Sequence, residues 1–287
     1  MALVSMREML AAADRNQFAV GAFNANNMEI VQAIIQAAEA EKAPVIMQAS
    51  QGAIKYARLE YITGMVRIAA ADSSVPVALH LDHGTNFDQV IKCIRSGFSS
   101  VMYDGSKQPL EENIAVTNQV LAVARPIGVS VEAELGKINE TKDQVTVSEK
   151  EAQFTDPEEA AYFVRRTGVD CLAVAIGTAH GQYKGEPKLD YDRLRTIKKL
   201  VPIPLVLHGS SGVPDEAIRQ AIELGICKVN IDTNLREAFV GAMRAELNDH
   251  PSEIDPRKII GPAREAMMEI VRTKIRLFGS SGKAAAL

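Results

Sequence analysis

Tryptophan is absent from this chain, and cysteine occurs only three times in 287 residues, at Cys93, Cys171 and Cys227. The three are far apart, odd in number and set in apolar or helical surroundings, with no C-x-x-C pair. That pattern excludes a disulfide-stapled scaffold and a thiolate zinc or redox motif, so reduced, buried thiols and a cytoplasmic location are expected. A surplus of positive charge is also missing. The 32 Lys and Arg are scattered and outweighed by 36 Asp and Glu, leaving a formal charge of −4, so no nucleic-acid face is expected. Long uncharged apolar runs are missing too: the opening MALVSMREMLAAADRNQ carries charges within its apolar stretch. It fits neither a secretory signal nor a membrane span, and no membrane partner is expected.

What remains is a chain with 47% hydrophobic residues, enough for a large core, and no low-complexity segment or Pro/Gly-rich linker to divide it. Short apolar runs alternate with stretches of helical spacing, which is the mark of βα units and a parallel sheet. Eight strands are expected: FAVGAF (18–23), PVIMQA (44–49), PVALHL (76–81), SVMYD (100–104), VSVEAE (129–134), CLAVAI (171–176), PLVLHG (204–209) and KVNID (228–232). Helical segments such as NMEIVQAIIQAAEAEK, FDQVIKCIRSG and DEAIRQAIELG follow them, several ending in Gly as a helix stop should. The number of units fits a single (β/α)8 TIM barrel over 1–287, although a doubly wound open sheet uses the same parts. Polar residues decide for the barrel. Asn24, Ser50, Asp82 with His83, Asp104, Glu134, His180, His208, and Asn230 with Asp232 all fall at the carboxyl ends of strands. A closed barrel gathers these into one mouth, whereas an open sheet leaves several on distant edges.

Three of the five histidines share one context: His83 in VALHLDHG, His180 in LAVAIGTAHG and His208 in IPLVLHGSSG. Each is followed by glycine (Gly84, Gly181, Gly209), which allows close approach of backbone to a ligand. Three imidazoles with an open position make a catalytic rather than a structural zinc site. His80, within its strand, and His250, in polar NDHPSE, are expected to be structural. An extended LHLDHG sends Asp82 and His83 to opposite sides, so one binds metal while the other faces elsewhere in the mouth. Asp82 is then a general acid or base, or a carboxylate orienting a histidine. Asp104 and Glu134 supply oxygen ligands for a second or displaced metal, or an ion pair within the rim. In HGSSGVPDEA, small residues precede Pro214 and an acidic first helical turn, and the backbone N–H groups there form an anion site. Asn230, Asp232 and Thr233 follow the eighth strand, where barrels commonly hold phosphate. Lys184 is within loop reach of the same anion or faces solvent. The polar stretch 136–157 is either an active-site lid or a solvated excursion, and the helical tail 256–287 closes the barrel or packs on a second subunit.

Taken in order, LHLDHG, SVMYDGS, VEAELG, AVAIGTAHG, VLHGSSGVP and KVNIDT closely resemble the class II, metal-dependent fructose-bisphosphate aldolases over essentially the whole chain. The resemblance implies zinc held by His83, His180 and His208, with Asp104 and Glu134 as an alternative metal site, hence two sites or one mobile ion. It implies Asp82 as catalytic acid/base. Gly181, Gly209, Ser210, Ser211, Asn230, Ile231, Asp232 and Thr233 match contacts to dihydroxyacetone phosphate, and Ser50 one to the aldehyde half. A monovalent cation at the phosphate and a homo-oligomer, dimer or larger, belong to the same expectation, as does a phosphorylated sugar as partner. Arg276 in KIRLFG resembles a region that binds the second phosphate in some members, within one subunit or across two, and its alternative is a helix-surface arginine. FNANN and QASQGAIKYA look more like the fructose branch than the tagatose branch.

Deprotonation beside a carbonyl needs a Lewis acid or a Schiff-base lysine. No strand-end position is lysine, and Lys228 is expected at the start of its strand, on the wrong face of the barrel, so the metal route is expected. One departure stands out. Where the family carries a Gly-Gly pair followed by adjacent acids, this chain has NETKDQ; ungapped alignment puts Lys142 at the proton carrier's place and leaves Glu140 or Asp143. The rivals are a tagatose-1,6-bisphosphate aldolase, a metallohydrolase (although FNANN replaces the His-x-His such barrels carry on the first strand) and a metal- and phosphate-binding protein without catalysis.

Overall fold

The computed structural model describes residues 3–136, 139–140, 154–180 and 187–287, the side chains of Asn139, Glu140 and His180 excepted. Eight parallel strands close into a barrel: β1 (Val20–Asn24), β2 (Val45–Ser50), β3 (Val77–Gly84), β4 (Ser100–Tyr103), β5 (Ser130–Leu135), β7 (Cys171–Val174), β9 (Leu205–Leu207) and β10 (Ile226–Ile231). β6 (Asn139–Glu140) and β8 (Ala179–His180) form a separate two-stranded pair. The barrel strands lie in chain order around the ring, with β10 pairing back onto β1 in parallel. The expected (β/α)8 barrel is therefore present, with most strand ends displaced by one or two residues. β3 runs further, to Gly84, and carries Asp82 and His83 within the strand.

Local chemistry sets the helix boundaries between strands. Asn27 and Asn86 cap α2 (Met28–Ala40) and α5 (Phe87–Ser96), their side chains accepting from Ile30 and Gln89 N–H at 2.9 Å. Gly97 closes α5 in the left-handed region at φ 100°. Asp156, with Pro157 at the first helical position, opens α7 (Pro157–Thr167). β2 is followed by two helices, α3 (Gln51–Ala57) and α4 (Leu59–Asp72), separated at Arg58 by φ 68°. The remaining α-helices among the described residues are α6 (Leu110–Ala124), α8 (Tyr191–Leu200), α9 (Asp215–Glu223), α10 (Thr233–Asp249) and α11 (Pro256–Leu277).

The helix α1 (Met6–Arg15), which precedes the first strand, was not among the expected elements. Its fully buried Met6, Met9 and Leu10 join Val20, Ala22, Ile46, Ala78, Cys171 and Val206 in one apolar cluster. It plugs the amino-terminal end of the barrel, each large side chain contributing about 1.5–3 kcal/mol by burial. The three cysteines are free and buried. None of the described helices is long and apolar enough to cross a membrane.

The tail is fastened at that same end. Phe278 C=O accepts from Ala19 N–H at 2.9 Å just before β1, and Gly282 N–H donates to Glu41 C=O at 2.8 Å. The buried Glu41 carboxylate accepts from Arg276 at 2.6 Å, Arg272 at 3.0 Å and the Ser281 hydroxyl at 2.8 Å. Arg276 is thus engaged at the end opposite the mouth of its own barrel, half-exposed on the surface of its helix. The bond from Arg276, then those from Ser281 and Arg272, outweigh burial and hold Glu41 down at about 2. A depressed carboxylate contributes stability above its unfolded value near 4.5 and loses it as pH falls through about 2. Glu41→Gln is expected to lower the melting temperature at pH 7 by on the order of 5 °C. The gap should narrow steadily in melts run from pH 5 towards pH 2; a constant gap would mean that packing, not charge, holds the tail.

Candidate active site

Period-2 alternation aims every second residue of a barrel strand inward. On β3 this brings His80 and Asp82 to the interior, and an ordinary extended chain would turn His83 away. His83 instead has φ 51°, a left-handed conformation costly for a residue with a β-carbon. The expectation that the two side chains diverge is therefore corrected: His83 Nε2 lies 3.9 Å from Asp82 Oδ1, both in the mouth. The bent backbone is held from outside. Gln51 Nε2 donates to His83 C=O at 2.7 Å and to Thr85 Oγ1 at 3.0 Å, and His83 N–H meets Met102 Sδ at 3.4 Å.

His208 follows β9 directly and is fully buried. Its Nδ1 is 2.9 Å from His83 Nε2, the rings meeting edge to face with centroids 4.7 Å apart. On the far side of each ring stands a carboxylate. Asp104 Oδ2 is 2.9 Å from His83 Nδ1, and Glu132 Oε1 is 2.8 Å from His208 Nε2. Each carboxylate claims the proton of the nitrogen it faces, which turns the other nitrogen's lone pair towards the shared point. Two lone pairs aimed at one point need a proton or a cation between them.

The surroundings favour positive charge there. Burial works against charging His83, but Asp82, Asp104 and Glu134 outweigh it and raise the imidazole to about 10. Burial pushes Glu134 well up, and its Oε2 has no hydrogen-bond partner among the described residues, 3.8 Å from His83 Nδ1. Asp104 stays well below the usual carboxylate range against its own burial, because His83 and both the N–H and hydroxyl of Ser106 donate to it. Two sets of donor atoms lie within 4.8 Å of one another: Asp82, His83 and His208, and His83, Asp104 and Glu134. Imidazoles and carboxylates with an orphaned carboxylate oxygen fit a divalent transition metal. Zinc's ~2.0–2.1 Å bonds to nitrogen need the two lone-pair nitrogens only a few tenths of an ångström further apart.

Of the third expected ligand, His180, the backbone is described: it closes β8, in register with Glu140 of β6. Its side chain, Gly181, Lys184, and most of the stretch 136–157, Lys142 and Asp143 included, lie outside the described residues.

The remaining expected residues ring the same mouth. Ser50 ends β2 in register with Asp82, its hydroxyl accepting from Ala53 N–H at 3.3 Å. Gly209 has φ 62°, and a Cβ there would lie 2.5 Å from Ala179 O, so the loop after His208 tolerates no side chain without shifting. The Ser210 hydroxyl donates to Leu207 C=O at 3.3 Å, and Ser211 Oγ accepts from Asp232 N–H at 3.3 Å, tying this loop to the start of α10. Thr233 opens that helix, Asp232 is paired with Arg236 at 2.6 Å, and the Ile231 side chain is buried, so that only its backbone offers polar groups there. Asn230 sits deeper: its Nδ2 donates to Asp82 Oδ1 at 3.2 Å and lies 3.5 Å from His208 Nδ1. Burial pushes the Asp82 carboxyl up, but His83, His208 and Lys228 more than offset this and keep it below its ordinary value.

Sequence reasoning missed Gln51 and Glu132 and misplaced Lys228. Lys228 is inside the barrel, fully buried, with Nζ 2.8 Å from Glu132 Oε2. The available signal was strand period: Glu132 and Lys228 stand two residues before the inward-facing Glu134 and Asn230.

The family profile described as fructose-bisphosphate aldolase class-II matches residues 4–283. A fructose-bisphosphate aldolase of Geobacillus stearothermophilus is 50% identical over 99% of this chain and 100% of its own length. A sulfofructosephosphate aldolase of Alkalicoccus urumqiensis is 46% identical over 99% of each. The crystal structure of the YdjI aldolase from Escherichia coli K12 superposes with a TM-score of 0.87 at 36% identity, covering 98% of this chain and 99% of that one. Mouth geometry and matches along nearly the whole chain agree: the protein belongs to the class II fructose-bisphosphate aldolases, metal-dependent lyases built on a (β/α)8 barrel.

Proposed function

We propose that this enzyme reversibly cleaves fructose 1,6-bisphosphate into dihydroxyacetone phosphate and glyceraldehyde 3-phosphate, with zinc as its metal. The observation that carries the reading is the convergence of Asp82, His83 and His208 on one point, with Asn230 holding Asp82. Zinc bound by His83, His208 and His180 would supply Lewis-acid stabilisation of the charge that develops on the ketose oxygen. Asp82, kept ionised at neutral pH, takes the C4 hydroxyl proton in cleavage and returns it to the aldehyde oxygen in condensation. Asp104 and Glu134 offer a second position for the metal beside His83. The Schiff-base alternative finds no support in Lys228, whose ammonium is sealed below the mouth against Glu132.

The backbone N–H groups around Gly209, Ser210, Ser211 and the start of α10 receive the phosphate of the ketose half, joined by Gly181 and Lys184 and, in the same reading, a monovalent cation. Ser50 faces the aldehyde half. Glu140, whose backbone stands in register with His180, and Asp143 are the two lid candidates for proton return to the enediolate carbon. The family likeness also carries a cytoplasmic homo-oligomer.

The deciding experiment compares kcat/KM of the zinc-loaded enzyme on fructose 1,6-bisphosphate, tagatose 1,6-bisphosphate and sulfofructose phosphate, each of checked purity. Fructose 1,6-bisphosphate is expected to lead by tenfold or more. A lead for either other sugar would move the substrate within the family. Inactivity on all three with metal bound, and no proton exchange on dihydroxyacetone phosphate, would leave a binding protein.

A further inference from the structure

Beneath the mouth, the barrel encloses a buried polar cluster that the proposed reaction does not use. Glu132, Lys228 and His80 are each fully buried on different strands. Glu132 divides its two oxygens: Oε1 faces His208 Nε2 at 2.8 Å, and Oε2 accepts from Lys228 Nζ at 2.8 Å. His80 Nε2 stands 3.5 Å from Oε2, while its Nδ1 is fixed to Ser100 Oγ at 2.8 Å. An ion pair in such a place is costly to bury, and an apolar pair of similar volume would serve packing as well or better. Its geometry, however, acts on one thing in the mouth: which nitrogen of His208 carries the proton.

We propose that Glu132, anchored by Lys228, is a positioning residue that sets the tautomer and ring angle of His208 and so presents Nδ1 to the metal. The inference rests on the reading of His208 as a metal ligand. With both oxygens of Glu132 committed, the group it presents to the ring at Nε2 is an acceptor. The Nε2 proton is thereby fixed, and the Nδ1 lone pair points towards His83 Nε2, 2.9 Å away. Lys228 holds the carboxylate from below, as the packed strands hold Lys228. Partners of this kind behind a metal-bound imidazole typically change metal affinity ten- to hundredfold.

The test measures zinc affinity of the demetallated protein by competition with a chromophoric chelator, alongside the 15N spectrum of its histidines and its thermal melt. Four variants are compared with wild type: Glu132→Gln, Lys228→Met, the double variant Glu132→Gln/Lys228→Met, and His208→Ala. Glu132→Gln is expected to weaken zinc ten- to hundredfold and to move the His208 nitrogen shifts from a single Nε2–H tautomer towards a mixture. The double variant, which leaves no unpaired charge in the barrel, should melt close to wild type yet still bind zinc as weakly as Glu132→Gln. Recovery of wild-type zinc affinity in the folded double variant, or an unchanged His208 tautomer in it, would overturn the proposal and leave the pair a packing feature. His208→Ala separates the two levels: if it leaves zinc affinity unchanged, the metal-site reading itself fails, whereas a loss there without a loss in the double variant condemns only the role of Glu132.

Discussion

Replacing Asp82 with asparagine is expected to lower kcat for fructose 1,6-bisphosphate cleavage by about 10²–10⁴-fold, the usual worth of a positioned acid–base group. Zinc content and melting temperature should stay close to wild type. The substitution is nearly isosteric, and the new amide can still accept through its oxygen the bond that Asn230 Nδ2 now donates at 3.2 Å. What it removes is the ability to take a proton. A loss of 10³ corresponds to about 4 kcal/mol of barrier, more than a displaced neutral hydrogen bond accounts for. KM should change far less than kcat, because proton transfer develops in the transition state and not in the bound ketose.

The same variant separates two protons. Cleavage moves the C4 hydroxyl proton, whereas solvent exchange at the hydroxymethyl carbon of dihydroxyacetone phosphate needs only the lid acid and the metal. Asp82→Asn should therefore leave exchange within about tenfold of wild type while cleavage collapses. If exchange falls with cleavage, Asp82 serves both steps or holds the metal, and its place within the Asp82, His83 and His208 cluster makes the second outcome structurally meaningful.

Most of this site was legible because a parallel barrel converts strand period into position. Asp82, Asp104, Glu134, His208 and Asn230 were readable as rim residues once the apolar runs before them were recognised. What escaped was whatever depends on a departure from period or on a partner strand. The φ of 51° at His83 is invisible in LHLDHG, since nothing local demands it; the turn is held by Gln51 from the neighbouring strand-to-helix junction and by Met102 from β4. Lys228 was misplaced because a lysine inside a barrel is costly alone, and only its pairing with Glu132, 96 residues away in sequence, makes it tolerable. The helix α1 was overlooked for a different reason. Met6, Met9, Leu10 and Ala13 do keep helical spacing, but the interleaved charges of Arg7, Glu8 and Asp14 speak in sequence only against a membrane span.

Removing the metal is expected to abolish cleavage, and restoring Zn²⁺ to recover it; activity surviving complete chelation would overturn the metal mechanism. A second readout needs no substrate. Binding to the folded state alone stabilises by RT ln(1 + [L]/Kd), about 4 kcal/mol at a thousand times Kd. For a domain of this size that is a rise in melting temperature on the order of 10 °C. His83→Ala should erase the rise, since this ring belongs to both groups of candidate ligands. Binding should also depend on pH. With Asp82, Asp104 and Glu134 raising His83 to about 10 in the absence of an ion, zinc must displace a proton at pH 7. Zinc affinity should then climb by up to about tenfold per pH unit from pH 6 to pH 9, one proton leaving for each ion bound. Calorimetry in buffers of different ionisation enthalpy counts that proton directly. A count of zero would mean that His83 is already neutral, and that the carboxylates around it hold their charge by some means other than the imidazole.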